Sequence, residues 1–142
     1  MKHTIWIWFD GGCFPNPGQK YGSFQVNFDG QQILNRNRVQ FNRGTNNEAE
    51  FNSLQMALEE TDDWLAEKGI PMAEVNCVIE TDSKIVQHRI TKKNKIHSKP
   101  VWRESSERMF ALAQEVLKIL IRFGVFEVRW KPRENNVERF GH

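Results

Sequence analysis

A chain of 142 residues, 39% hydrophobic and 27% charged, fits one globular domain with a sizeable core, and it contains no repeat or low-complexity segment. No apolar run approaches membrane-spanning length, and the N-terminus lacks a signal-peptide pattern, so a membrane or secreted protein is not expected. The net charge of +2 gives only a weak bulk argument for a polyanionic partner. Cys13 and Cys77 lie far apart without zinc-type spacing and read as free thiols in a reducing compartment, which points to the cytoplasm.

Residues 5–9 (Ile-Trp-Ile-Trp-Phe) are all β-branched or aromatic, and an unbroken apolar run reads as a central strand buried on both faces. Asp10 follows where such a strand would leave the core, with Gly11 and Gly12 behind it. A carboxylate there, beside bare backbone N–H groups, suits a metal or a phosphate; the plain alternative is a turn aspartate before glycines. Residues 13–20, with Pro15, Pro17 and Gly18, read as a loop. Residues 21–28 form a second strand, Asp29-Gly30 is a hairpin signal, and residues 32–41 form a polar edge strand, which together make an antiparallel meander.

Residues 44–47 break the strand pattern, and a helix runs to about Lys68 with Leu54, Ala57, Leu58 and Leu65 as its apolar stripe. Gly69-Ile70-Pro71 stops it. Residues 75–80 make a short fourth strand, and the long crossover helix implies that it lies parallel to the first. Thr81-Asp82-Ser83 opens a short helix to about Ile90. Residues 84–103 hold seven Lys or Arg and no Asp or Glu, with His88, His97 and Trp102 interleaved, which favours a phosphate-facing surface over an ordinary solvated loop. A helix over about 101–123 (stripe Met109, Leu112, Val116, Ile119, Leu120), a last strand over 125–130 and a polar tail complete the chain.

Three carboxylates share one structural neighbourhood. Asp10 and Asp82 end neighbouring parallel strands, and open α/β sheets hold ligands at that edge. Projecting the helix stripe back one turn from Leu54 places Glu50 on the face turned toward the sheet. Each acid has a structural alternative: Asp82 or Ser83 can cap the next helix, and Thr45 with Glu48 forms a capping box. Because Glu48 takes the capping role, Glu50 is left over on the wrong face for a solvated acid. Clustered carboxylates repel unless a cation joins them, and hard oxygen ligands suit Mg²⁺ or Mn²⁺. Two such ions can activate water and stabilise a leaving oxygen in phosphodiester hydrolysis.

Asp10-Gly11-Gly12-Cys13 with Asn16-Pro17-Gly18, then Gly44-Thr45-Asn46-Asn47-Glu48-Ala49-Glu50, then Glu80-Thr81-Asp82-Ser83 resemble, in order and spacing, the motifs of type 1 ribonuclease H. The resemblance covers nearly the whole chain and implies the ribonuclease H-like α/β fold, a five-stranded mixed sheet in order 3-2-1-4-5 flanked by helices. It implies a single domain over 1–142 that cuts the RNA strand of RNA–DNA hybrids, leaving 5′-phosphate and 3′-hydroxyl ends, as a monomer. It also implies Asp10, Glu50 and Asp82 as ligands of two Mg²⁺ or Mn²⁺ ions. Glu50 would in addition help receive a ribose 2′-OH, on an RNA track lined by Gly11, Gly12, Cys13 and Asn16. Asn46 and Asn47 would cross the minor groove, Thr45 would hold a DNA phosphate, and Ser83 would support the site from a helix N-terminus.

The connection over 90–100 is too short for the family's basic handle and resembles the compact subgroup, so Lys95 and its neighbours, with Trp102, would take over DNA-strand contacts. The C-terminus departs from the family, because Phe140 occupies the place of its fourth acid. Two readings stay open. Either Glu138 or His142 substitutes, His142 as a ligand or proton shuttle, or the acid and the final helix lie beyond residue 142. A hybrid-binding module that cleaves weakly or not at all is the alternative function.

Overall fold

The computed structural model describes residues 2–141 apart from Lys93 and His97, and the side chain of Trp102 lies outside the described set. Five strands form one sheet in the order β3-β2-β1-β4-β5. They are β1 (His3–Phe14), β2 (Gly18–Phe28), β3 (Gln31–Gly44), β4 (Val75–Thr81) and β5 (Val125–Trp130). The first three pair antiparallel, while β4 lies parallel to both β1 and β5. Among the described residues four α-helices flank the sheet: α1 (Asn46–Lys68), α2 (Lys84–Thr91), α3 (Pro100–Leu120) and α4 (Arg133–Phe140).

Helix α1 begins and ends where its sequence directs. The Thr45 hydroxyl accepts from the Glu48 N–H (3.2 Å) while Glu48 reaches back to the Thr45 N–H (3.3 Å), closing the capping box. Gly69 terminates it in the left-handed conformation (φ 71°). One apolar core joins Ile5, Ile7 and Phe9 of β1 to Phe51, Leu54 and Leu58 of α1, Val86 of α2, and Met109 and Val116 of α3.

The first strand differs from the sequence expectation in two ways. Its burial alternates: Ile5, Ile7 and Phe9 are fully buried, whereas Trp6 and Trp8 on the opposite face are half-buried. Arginine guanidinium groups cover those indoles, Arg129 at 5.1 Å from the Trp6 centroid and Arg139 at 3.8 Å from that of Trp8. Nor does β1 end at Asp10. It continues to Phe14, pairing as far as Phe14↔Gln19, so the expected loop over 13–20 shrinks to residues 15–17. Strand ladders set that limit: Gly18 pairs with Gly44 of β3, Lys20 with Cys13 of β1, and Gln19 with both Phe14 and Arg43. Asp10 is therefore a mid-strand residue whose parallel neighbour has already departed: β1 and β4 pair only up to Trp8↔Glu80. The tail expected to be merely polar carries α4, which lies against β1 on the Trp8 face.

Candidate active site

The register of β1 and β4 builds the first half of the site. Two residues beyond Trp8↔Glu80 come Asp10, still within β1, and Asp82, the first residue past the end of β4. Helix α1 supplies the second half. A Cβ on Gly11 would stand 2.4 Å from the Ala49 carbonyl carbon and 2.6 Å from the Glu50 nitrogen, so only glycine lets the first turn of α1 lie directly on β1. The buried Ser53 hydroxyl, one turn on, lies within hydrogen-bonding distance of both the Ala49 carbonyl (2.8 Å) and the Asp10 carbonyl (3.1 Å). Glu50 is thereby carried to the two aspartates, and one carboxylate oxygen from each of Asp10, Glu50 and Asp82 lies within 4.8 Å of the others.

These carboxylates are poorly solvated. Desolvation raises the pKa of Asp10 to about 7, the Asp82 charge adding to it, while Arg133 and the Gly11 N–H oppose the rise. Burial also lifts Glu50 well above the usual carboxylate range, with Asp10 and Asp82 pushing the same way. Asp82 rises through desolvation and is held back by a hydrogen bond from Asn136 and by Arg133. Glu50 is half-buried as a residue, but its Oε2 is withdrawn from solvent without a hydrogen-bond partner. Three crowded oxygens, one of them orphaned, and a single opposing guanidinium fit a hard divalent cation.

The carboxylates open into a cleft of about 320 Å³ whose walls include Gly11, Gly12, Cys13, Tyr21, Asn46 and Arg133. A small network sets its rim. The Cys13 N–H donates to Asn46 Oδ1 (2.8 Å), while Asn16 Oδ1 accepts from the Cys13 thiol (3.3 Å) and the Asn46 N–H (3.3 Å). Thr45, expected to hold a phosphate, commits its hydroxyl to the helix cap, donating to Glu48 Oε1 at 3.1 Å. Asn47 is half-buried in the first turn of α1. Ser83 caps α2, accepting from the Val86 N–H (3.1 Å) directly after Asp82. Lys95 exposes its side chain on the short connection, with its carbonyl bound by Arg89 and Ser106.

The C-terminal expectations separate. Glu138 is exposed and lines a different groove with Trp8, Gln25, Glu80 and Arg139, so among the described residues it is not part of the acidic cluster. His142 lies outside the described residues. What α4 brings to the cluster is Asn136, 5% exposed, whose Nδ2 donates to the Phe9 carbonyl (3.2 Å) and whose side chain also bonds Asp82. Arg133 and Asn136 received no role from sequence, although both stand in the Pro132-Arg133-Glu134-Asn135-Asn136 stretch that matches the family pattern. Ser53 and Tyr21 gave no sequence signal.

A mixed sheet in this order with an acidic cluster at the diverging ends of β1 and β4 defines a protein of the ribonuclease H-like class. A family model described as RNase H matches residues 2–132, and the chain belongs to that family. It is 30% identical over 108 residues to a ribonuclease H of Wigglesworthia glossinidia brevipalpis, a match covering 76% of this chain but 61% of that protein. The chain thus spans less than two thirds of that relative. RNase H1 of the halophilic archaeon Halobacterium salinarum superposes with a TM-score of 0.70 at 24% identity, over 97% of this chain and 92% of that one. A compost-derived RNase H1, LC11, solved in complex with an RNA/DNA hybrid, gives a TM-score of 0.64 at 24% identity, over 94% and 89% of the two chains. These likenesses establish the fold.

Proposed function

We propose that the chain hydrolyses the RNA strand of RNA–DNA hybrids, using two Mg²⁺ or Mn²⁺ ions held by Asp10, Glu50 and Asp82. The observation that carries this reading is the convergence of three desolvated carboxylates within 4.8 Å in a cleft floored by strand backbone. Membership of the RNase H family and the hybrid complex of a solved relative support it. When bound, the ions would supply an activated water and charge neutralisation at the leaving oxygen. The chain's own residues hold the geometry: Gly11 and Ser53 fix α1 against β1, and Asn136 orients Asp82. Gly11 and Gly12 line the cleft where a ribose would lie, and Asn46 and Asn16 brace the rim beside them. Lys95 and the basic connection offer charge to the DNA strand. On the same reading the protein works in the cytoplasm as a monomer; no described helix is long and apolar enough to cross a membrane.

A second reading rests on α4. Among the described residues it sets an amide, Asn136, rather than a fourth acid beside Asp82, which favours a hybrid-binding module with weak cleavage. Cleavage of a labelled hybrid in Mg²⁺ or Mn²⁺ decides between them, with Asp10→Asn and Asp82→Asn as controls. Turnover lost in both variants supports the nuclease. Hybrid binding without turnover in either metal supports the module, and cleavage untouched by the two substitutions refutes the site.

A further inference from the structure

Beside Tyr21, which lines the cleft, stands a cation that the proposed chemistry has not used. The β2–β3 ladder passes from Gly22↔Val39 to Phe24↔Arg36, so Asn37 and Arg38 face the single residue Ser23 across a β-bulge. Arg38 adopts the left-handed conformation there (φ 53°), which costs a non-glycine residue about 1–2 kcal/mol. The fully buried Ser23 hydroxyl stabilises it, accepting from the Arg38 N–H (2.9 Å) and donating to Asn37 Oδ1 (3.0 Å). The bulge aims the Arg38 guanidinium over the ring of Tyr21, 5.0 Å from its centroid. Tyr21 pairs with Gly12 and lines the cleft, its hydroxyl 2.7 Å from where a Gly12 Cβ would stand.

The neighbouring arginine has a different occupation. Arg36 is ion-paired with Glu60 (2.9 Å), whereas among the described residues no carboxylate pairs with the exposed Arg38. A strained backbone, a buried hydroxyl and an aromatic ring together hold one uncompensated positive charge on the sheet face that bears Asp10. A cleft holding three carboxylates repels a phosphodiester backbone, and a guanidinium already fixed on an aromatic plane can grip a phosphate with two parallel hydrogen bonds at little ordering cost.

We infer that Arg38, carried on Tyr21, is a positioning residue for the substrate: it binds a backbone phosphate of the strand that lies across Gly12. The inference rests on the proposed action on hybrids. The test is anisotropy binding of a labelled RNA–DNA hybrid by the Asp10→Asn protein in Mg²⁺ across a salt series, with and without Arg38→Ala and Arg38→Lys, together with kcat and KM in the otherwise native chain. Loss of one phosphate contact should lower the slope of log affinity against log salt by about 1, so the deficit of Arg38→Ala shrinks about 3.5-fold between about 50 and 200 mM salt. KM should rise about five- to tenfold with kcat unchanged, and Arg38→Lys should restore most of the slope while recovering KM only in part. A salt slope indifferent to Arg38, or kcat and KM moving together with a fall in Tm, overturns the inference and leaves a structural role. Native protein that neither binds nor cleaves hybrid overturns the functional reading and this inference together; native protein that binds with a slope independent of Arg38 overturns this inference alone.

Discussion

Replacing Asp10 by Asn should stabilise the metal-free protein while abolishing its chemistry. The carboxylates of Asp10, Glu50 and Asp82 approach within 4.8 Å, where each ionised pair repels by about 3.5 kcal/mol at an effective dielectric constant of 20. Burial and that repulsion together raise Asp10 from 3.8 to about 7. A folded-state pKa above the unfolded value means that the folded chain binds the extra proton, so stability is highest below the unfolded pKa and falls as pH rises through 3.8 towards about 7. Above that window the full shift corresponds to about 4 kcal/mol of destabilisation from this group. An asparagine removes the charge but still buries an amide, so a net gain of about 2 kcal/mol, or about 5–8 °C in Tm, is expected at pH 8. The assay is urea and thermal unfolding in EDTA at pH 4 and pH 8. The variant should exceed the native protein at pH 8 and fall about 1–2 kcal/mol below it at pH 4, where the carboxyl is protonated in the fold and only the cost of the buried amide remains. Added Mg²⁺ should then reverse the ranking, since a ligand at 100 times its Kd stabilises the native state by about 2.7 kcal/mol and the variant has lost a ligand. A variant no more stable than native at pH 8, or one equally stabilised at both pH values, would refute the crowded-carboxylate account.

Gly11→Ala should cost about 1–3 kcal/mol in chemical denaturation and displace Glu50, because the new methyl meets backbone of α1; Gly12→Ala, which meets only the movable Tyr21 side chain, should cost less. Asn136→Ala should cost about 1–3 kcal/mol in thermal unfolding and reduce hybrid cleavage, since it deletes hydrogen bonds to the Phe9 carbonyl and the Asp82 carboxylate. Replacing Lys92, Lys93 and Lys95 together should raise KM for hybrid and flatten its salt dependence; an unchanged salt slope would mark the connection as solvated surface.

Much of the site is legible in the sequence because local rules act alone there. The Thr45–Glu48 box fixes the start of α1, the leucine stripe fixes its face, and Glu50 follows by projection. One hairpin signal and one long crossover give the meander and set β4 parallel to β1, while the full strand order rests on the family resemblance. What escaped depends on tertiary pairing. Pro15 and Pro17 do lie in the turn, but pairing of Cys13 and Phe14 with Lys20 and Gln19, and of Gly18 with Gly44, keeps the rest of the expected loop extended. Helix α4 has no apolar stripe to announce it; an amide, Asn136, anchors it, and Val137 remains exposed. The bulge at Arg38 has no glycine to mark it and exists through the Ser23 hydroxyl on another strand. Trp6 and Trp8 look like core by hydrophobicity, but large rings can be half-covered by arginine stems and so serve an open sheet face.

Those two indoles also give the molecule a built-in optical reporter. Their rings lie 6.0 Å apart and only 19° from parallel, close enough for their electronic transitions to couple. Trp8 donates to Glu80 (3.2 Å) while Arg139 of α4 covers its ring and holds Gln25 (2.9 Å). The same short helix carries Asn136 to Asp82. Lifting α4 would uncover one member of the pair and loosen the acidic cluster in a single event, so the exciton signature and emission colour of the tryptophans register whether the cluster is assembled.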